Sequence, residues 1–185
     1  MKEGRVGVGE EVRMVFILTL IALLSGAILG ATYEVTRPYI QKQQELQLRQ
    51  AVLSVLPAAQ SFERLERGGR TLYRGLDGEG RPVGLAIEVE GKGFGGPIRL
   101  LVGVDPETRR LTGLQVLAHQ ETPGLGARIQ EEEWRAQFKG KAAGDPFVVK
   151  QDVQAITGAT ISSRAVAVAV KEAVSEVLAQ EEGRP

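Results

Sequence analysis

Apolar residues divide the chain into one long uncharged run and a region of shorter, alternating segments. Residues 14–31, MVFILTLIALLSGAILGA, contain no charged side chain, and only Thr19 and Ser25 are polar. As a helix rising about 1.5 Å per residue, this run would span about 27 Å, close to the roughly 30 Å hydrocarbon core of a bilayer. The pattern therefore predicts a transmembrane helix over residues 14–31.

The flanks of the run indicate a retained membrane anchor. A cleaved signal peptide is the alternative, but the apolar residues continue past Ala27 and no small-x-small cleavage site closes the run. Lys2, Arg5 and Arg13 precede it and are countered by Glu3, Glu10 and Glu11, so the orientation is only weakly encoded. The rule that basic residues mark the cytoplasmic side nevertheless counts Lys and Arg rather than net charge. We therefore expect residues 1–13 to form a cytoplasmic tail.

A helical stalk is predicted directly after the anchor, over residues 32–57. Apolar residues recur at helical spacing towards its end: Leu48, Ala51, Val52, Val55 and Leu56. Pro57 ends the pattern, and Pro38 allows the stalk either to continue from the anchor or to kink away from it.

Residues 58–180 are predicted to form one domain. Alternating apolar residues and turn sequences indicate three or four consecutive antiparallel strands, over residues 71–76, 83–90, 98–104 and 111–118. Further elements are a helix over 127–138, a short strand over 147–149 and a helix over 163–180. The fold class is therefore α+β, with an antiparallel sheet packed with helices. Residues 181–185 are expected to be a frayed C-terminus.

Charge and composition exclude several classes of function. Lys and Arg number 23, and so do Asp and Glu, so no basic surface for nucleic acid is expected. The chain has no Cys and one His, which excludes thiolate catalysis, iron–sulfur clusters and a His-based metal centre. Any redox chemistry must therefore come from a bound organic cofactor.

The glycine-rich segment GKGFGG, residues 91–96, matches a dinucleotide-binding pattern in its letters but not in its context. That pattern needs a helix next, whereas Pro97 and the strand sequence IRLLVGV follow. We therefore predict a bend between two strands.

The segment TGATISS, residues 157–163, lies where a long amphipathic helix begins. Free amides and the positive dipole end of a helix N-terminus stabilise a phosphate, and Gly158 allows a ligand to approach the backbone. The alternative is an ordinary helix cap made by the hydroxyl of Thr160 or Ser162, and the residues alone favour the cap.

The segment ETPGLGARI, residues 121–129, joins the last predicted strand to the next helix. Its glycines and proline are typical of a turn, which is the interpretation that the residues alone favour. The alternative is a backbone wall against a flat ligand, with Thr122 as a hydrogen-bonding hydroxyl and Leu125 as an apolar contact.

The remaining candidate groups favour structural roles. His119 has no nucleophile or second ligand at catalytic or metal spacing, so we interpret it as a structural or surface residue. Three aromatic residues are predicted to lie in the core rather than to stack on a cofactor: Phe94, Trp134 and Phe138.

Several segments, taken in order, resemble one protein family. They are similar to the FMN-binding G subunit of the Rnf ion-translocating electron-transport complex and to its relative, the C subunit of the sodium-pumping NADH:quinone reductase. The segments are a single membrane helix, a stalk ending in VLP (55–57), GKGFGGPIRLLVGVD (91–105), ETPGLG (121–126) and TGAT (157–160) before a helix. The resemblance covers most of the chain from residue 14 to about residue 178.

The resemblance implies FMN held by a phosphoester bond to the hydroxyl of Thr160, the last threonine of TGAT. It also implies a separate flavin transferase that makes this bond, and other membrane subunits of an Rnf-type complex as partners. The domain over residues 58–180 would face the periplasm or cell exterior from the cytoplasmic (inner) membrane. The expected function is that of an electron-carrier subunit of an ion-translocating oxidoreductase, without catalytic residues of its own and without a metal.

Further residues are expected around such a flavin. Those near the phosphate would be Thr157, Gly158, Ala159, Ile161 and Ser162. Those lining the isoalloxazine ring would be Thr122, Leu125 and Gly126. Lys150 would place a positive charge near the flavin and favour its reduced form, and the alternative for it is a solvated lysine.

Two other classes of function stay open on the residues. One is a non-redox extracytoplasmic binding module that uses TGAT only as a helix cap and would be colourless. The other is a stand-alone flavin sensor or reductase, which would need a substrate pocket lined by acid–base residues that the sequence does not offer.

Overall fold

The computed structural model describes residues 8–67 and 69–182 of the chain, which divides into two compact units, Met1–Gln47 and Leu48–Pro185. Residues 1–7 of the expected tail and residues 183–185 of the expected frayed end lie outside the described residues. The described part of the first unit is helical, and the second unit contains all the described strands.

The first helix, α1 (Val8–Val55), includes the predicted transmembrane run, most of the predicted stalk and residues 8–13 of the expected tail. Pro38 lies inside it. The large apolar side chains over residues 14–31 are between 44% and 72% exposed, and the Thr19 hydroxyl donates to the carbonyl of Val15, 2.8 Å away. Among the described residues, α1 is the one helix long and apolar enough to cross a membrane.

Five antiparallel strands form one sheet in sequence order, which confirms the predicted meander. They are β1 (Ser61–Arg67), β2 (Arg70–Leu76), β3 (Pro82–Lys92), β4 (Pro97–Asp105) and β5 (Arg110–Ala118). The additional strand is β1, whose sequence SFERLER is mostly exposed at the edge of the sheet. Charged residues are common on edge strands, and they hide the apolar alternation that predicts a strand.

The segment after β5 contains less regular structure than predicted. The helix expected over residues 127–138 is instead a 3-10 helix, Gly126–Gln130, followed by a short helix, α2 (Glu132–Ala136). The interruption lies at Glu131, whose backbone is extended with φ −61° and ψ 130°. A single amphipathic pattern over the segment therefore does not become a single helix.

The strand predicted over residues 147–149 is wrong. Phe147 has a positive φ of 51°, which is outside the range of a strand. Val149 forms only an isolated bridge with Val153. This segment is a compact loop before the last helix.

Two of the three predicted core aromatic residues are buried. Trp134 and Phe138 lie in the core with ring centroids 5.3 Å apart, and the Trp134 indole N–H donates to the carbonyl of Gln154 at 2.9 Å. The prediction for Phe94 is wrong, since its side chain is 71% exposed in the bend between β3 and β4. The bend itself confirms the prediction that GKGFGG connects two strands.

Each face of the sheet is covered by helical residues of the second unit. The last helix, α3 (Thr160–Glu182), contributes Val170 to a core that also contains Leu100 of β4. On the opposite face, Val52 in the last turns of α1 lies in a second core with Leu101 of β4. Adjacent residues of one strand enter different cores because successive side chains point to opposite faces.

Candidate functional site

Three segments meet at the buried carboxylate of Glu121, which is 5% exposed. The amide of Gly95, in the bend between β3 and β4, donates to Glu121 Oε1 at 2.9 Å. The hydroxyl of Ser162, in the first turn of α3, donates to Glu121 Oε2 at 2.5 Å. Glu121 itself begins ETPGLG, so one side chain joins the three motifs singled out in the sequence.

Two glycines leave the space that this carboxylate occupies. A Cβ added to Gly93 would lie 2.2 Å from Glu121 Oε1, and a Cβ added to Gly126 would lie 2.4 Å from Glu121 Oε2. Both distances are far below van der Waals contact, so a side chain at either position would displace the carboxylate. Glycine is therefore required at these positions by close approach.

The TGAT turn is closed by the side chain of Ser163, three residues beyond it. Ala159 N donates to the carbonyl of Ile156 at 2.9 Å, and Ile156 N donates to Ser163 Oγ at 3.0 Å. The Ser163 hydroxyl in turn donates to the carbonyl of Ala159 at 3.0 Å. Gly158 has a φ of 81°, which glycine adopts without strain. The turn thus forms without the cap expected from Thr160 or Ser162.

Thr160 is the first residue of α3 and is partly exposed. Its hydroxyl forms no hydrogen bond with the part of the chain that the structure describes. The amides of Thr160, Ile161 and Ser162 have no partner within the helix, because the first amides of a helix point away from its carbonyls. These amides carry the positive end of the helix dipole, so the surroundings of the Thr160 hydroxyl favour an anion.

The ETPGLG loop lies against the TGAT turn. The amides of Leu125 and Ala127 donate to the carbonyl of Thr122 at 3.2 and 3.1 Å, so the loop folds back on itself. The Leu125 side chain is 46% exposed, and its Cδ2 atom lies 3.1 Å from the position that a Cβ on Gly158 would take. An apolar side chain is therefore held at the edge of the turn that carries Thr160.

The structure brings together most of the residues predicted for the site. Those on the two adjoining segments are Thr122, Leu125 and Gly126 on one, and Thr157, Gly158, Ala159, Thr160, Ile161 and Ser162 on the other. Within this group the Ser162 hydroxyl and the Ala159 amide are already engaged, by Glu121 and by the Ile156 carbonyl.

Lys150 lies in the loop before TGAT. It is exposed with a φ of 71°, and its amide donates to the carbonyl of Val153 at 2.8 Å. The same loop is organised by Asp152, whose carboxylate accepts from the amides of Phe147 and Val148 and from Lys141. None of these contacts connects Lys150 with the Thr160 turn.

Glu121 is the residue that the sequence did not single out. Its partners lie 26 and 41 residues away along the chain, so no local pattern connects them. The available signal was a carboxylate directly before a loop rich in glycine and proline. A carboxylate at such a position is usually solvated, whereas this one is buried and therefore accepts hydrogen bonds from the two other segments.

The acid–base and metal chemistry of the site is limited. His119 Nδ1 accepts a hydrogen bond from the amide of Glu121 at 3.0 Å, and its Nε2 contacts the side-chain amide of Gln130, so the ring supports the loop. Over residues 8–67 and 69–182 no group of three or more His, Asp or Glu side chains could hold a metal ion. Thr160 instead places a hydroxyl that no described residue engages at the start of α3.

Comparisons with known proteins match two parts of the chain to known families and most of its length to known relatives. Residues 93–175 match the FMN-binding domain family, and residues 12–55 match the RnfG N-terminal region. The chain is 36% identical to the G subunit of the ion-translocating oxidoreductase complex of Methanosarcina acetivorans, over 93% of this chain and 97% of that protein. It is 37% identical to the G subunit of the proton-translocating ferredoxin:NAD(+) oxidoreductase complex of Clostridium ljungdahlii, over 86% and 88% of the two chains.

Two solved structures share the fold. Shewanella oneidensis NqrC has a TM-score of 0.53 with 22% identity, over 70% of this chain and 74% of that one. The C subunit of the Na(+)-translocating NADH-quinone reductase from Parabacteroides distasonis has a TM-score of 0.57 with 21% identity, over 75% and 94%. At these identities the likeness establishes the architecture alone.

Proposed function

The chain belongs to the family of G subunits of Rnf-type ion-translocating oxidoreductase complexes, and from this membership we propose that it is a membrane-anchored electron carrier with FMN bound covalently to Thr160. Relatives carry the names of ion-translocating and ferredoxin:NAD(+) oxidoreductase complexes. The one candidate membrane helix among the described residues cannot line an ion path alone. Ion movement therefore needs the other membrane subunits of the complex.

The environment of Thr160 carries the proposal. Its hydroxyl is unengaged by any described residue, and it stands beside the first amides of a 23-residue helix. Phosphate oxygens are stabilised by such amides and by the helix dipole. Because the Ser162 hydroxyl and the Ala159 amide have partners already, we assign the phosphate contacts to the amides of Thr160, Ile161 and Ser162.

Exposed apolar side chains on the segments around Thr160 support our assignment of ring contacts to this surface. Leu125, Ile161 and Phe94 are 46%, 53% and 71% exposed, and they belong to the three segments that Glu121 joins. Exposed apolar side chains on segments that meet support a binding surface there. Thr122 and Gly126 complete the proposed ring contacts. Thr157 and Gly158 would border the phosphate. A role for Lys150 stays a prediction. FMN bound there would supply one- and two-electron transfer, while the protein holds and orients it.

The test is covalent flavin on the full-length chain, co-expressed with a flavin transferase and exported. We expect a fluorescent band on a denaturing gel and an intact mass increased by FMN less one water. Thr160→Ala should lose both signals because it removes the acceptor hydroxyl. Ser175→Ala is the matched control, since it removes a hydroxyl that donates to the Lys171 carbonyl on the exposed side of the same helix, and it should keep both signals.

Two results would count against the assignment. A flavin-labelled Thr160→Ala chain would place the bond elsewhere. A wild-type chain of unmodified mass would instead favour a colourless binding module in which TGAT only begins a helix.

We also propose that the second unit faces the periplasm or cell exterior and that residues 1–13 are cytoplasmic. The chain has no Cys, so single cysteines report its two sides without background. A cysteine at Glu79, whose side chain is 73% exposed, should react with an impermeant maleimide added to spheroplasts, whereas a cysteine at Glu3 should not. The reverse labelling would contradict this orientation.

A further inference from the structure

We infer that Glu121 is a positioning residue that holds the ETPGLG loop, which would line the flavin ring, in place relative to α3, which carries Thr160. This inference rests on the proposed function, because it assigns a role around FMN bound at Thr160. Glu121 is not proposed to contact the flavin. It acts through the Gly95 amide and the Ser162 hydroxyl, which both donate to its carboxylate.

The first step is the burial of the carboxylate without a cation. Glu121 is 5% exposed, and no ion pair reaches it within the described part of the chain. Burying a carboxylate costs free energy unless hydrogen bonds replace the lost water. The two hydrogen bonds therefore fix the carboxylate and its two donors in place relative to each other.

The second step is the position of those donors. Ser162 is two residues beyond Thr160 on α3, and Gly95 adjoins the exposed Phe94. Glu121 is bonded directly to Thr122, whose carbonyl accepts the amides of Leu125 and Ala127. One side chain thus sets the separation between the proposed ring contacts and the point of attachment.

The third step is the space around the carboxylate. Gly93 and Gly126 have no side chains and face the carboxylate from the two loops. Replacing Glu121 with Ala would leave a cavity and two unpaired donors, and the segments would be free to separate. Replacement with Gln keeps the shape: its carbonyl oxygen can accept from Gly95, and its NH₂ can donate to the Ser162 hydroxyl.

The experiment compares four variants of the full-length, flavin-loaded chain: Glu121→Ala, Glu121→Gln, Ser162→Ala and Ser175→Ala. Ser175 is the matched control, since its hydroxyl donates to its own helix at Lys171 on the exposed side of α3. Intact mass measures attachment, and visible circular dichroism and flavin fluorescence anisotropy measure how firmly the ring is held. Hydrogen exchange of a peptide containing Gly95 measures the loop itself.

We expect wild type, Glu121→Gln and Ser175→Ala to give the same visible circular dichroism and anisotropy. Glu121→Ala should retain FMN at Thr160 but lose the flavin circular dichroism and most of the anisotropy. The Gly95 amide should exchange about tenfold faster, as expected for one lost hydrogen bond. Ser162→Ala should show the same changes at smaller amplitude, and it tests the inference even if Glu121→Ala does not fold.

The outcomes separate this inference from the function beneath it. A labelled wild type with unaltered ring signals in Glu121→Ala and Ser162→Ala would overturn the positioning role alone. The same would follow if Glu121→Gln lost the ring signals as completely as Glu121→Ala, because hydrogen bonding would then not be the cause. An unlabelled wild type would overturn the covalent-carrier function and, with it, this inference.

Discussion

Glu121 and Asp152 each hold a loop before α3, but they use different partners. Asp152 accepts from Phe147 and Val148, five and four residues away, and from Lys141, eleven residues away. Glu121 accepts from donors 26 and 41 residues away and pairs with no cation among the described residues. A carboxylate with local partners shapes its own loop, whereas one with distant partners fixes segments relative to each other.

This difference predicts that an added side chain lowers stability more beside Glu121 than in the loop that Asp152 holds. Gly126→Ala should lower the free energy of unfolding by about 2 kcal/mol, because the new Cβ would collide with the Glu121 carboxylate and force three segments to shift. Urea unfolding of the full-length chain in detergent measures the change.

The control for Gly126 is Gly144→Ala. No atom lies within 4 Å of a Cβ at Gly144, so that change should stay within about 0.5 kcal/mol. Equal stability of the Gly126 and Gly144 variants would mean that the segments around Glu121 move to accept the new Cβ at little cost. It would contradict the view that Glu121 fixes these segments more firmly than Asp152 fixes its own loop.

The contribution of the Asp152 loop to stability should depend on pH rather than on an added side chain. Partial burial raises the pKa of Asp152, but hydrogen bonds from the Val148 amide and Lys141 outweigh it and hold the pKa below its usual value. A carboxyl with a lowered folded-state pKa adds stability above its unfolded pKa of about 3.9, and that stability is lost as pH falls through the folded value.

Asp152→Asn should therefore cost about 1 kcal/mol near pH 7 and progressively less as the pH falls below about 4. Thermal unfolding against pH measures this convergence. Glu131→Gln is the control: its exposed ion pair with Arg128 should contribute less than about 0.5 kcal/mol throughout. A constant difference between Asp152→Asn and wild type at all pH values would show that the charge of Asp152 is not the cause.

Much of the fold was predictable because local patterns decide it. Strands β2 to β5 place alternate residues in different cores, so apolar alternation marks them, whereas the charged edge strand β1 carries too little of that signal. The break at Glu131 between the 3-10 helix and α2 was not predictable, because residues 127–138 keep a helical pattern through it. Phe94 was predicted as core from its chemistry alone, and its place at the tip of a bend exposes it.

The sequence by itself determined the membrane anchor, the meander, the last helix and the two motifs of the site, since each depends on the order of neighbouring residues. Only the tertiary structure decided that these motifs adjoin, that Ser162 is bound by Glu121 and that Thr160 is left unengaged. Hydrogen-bond partners are chosen by distance in space, and no spacing along the chain encodes which of many donors will meet one buried carboxylate.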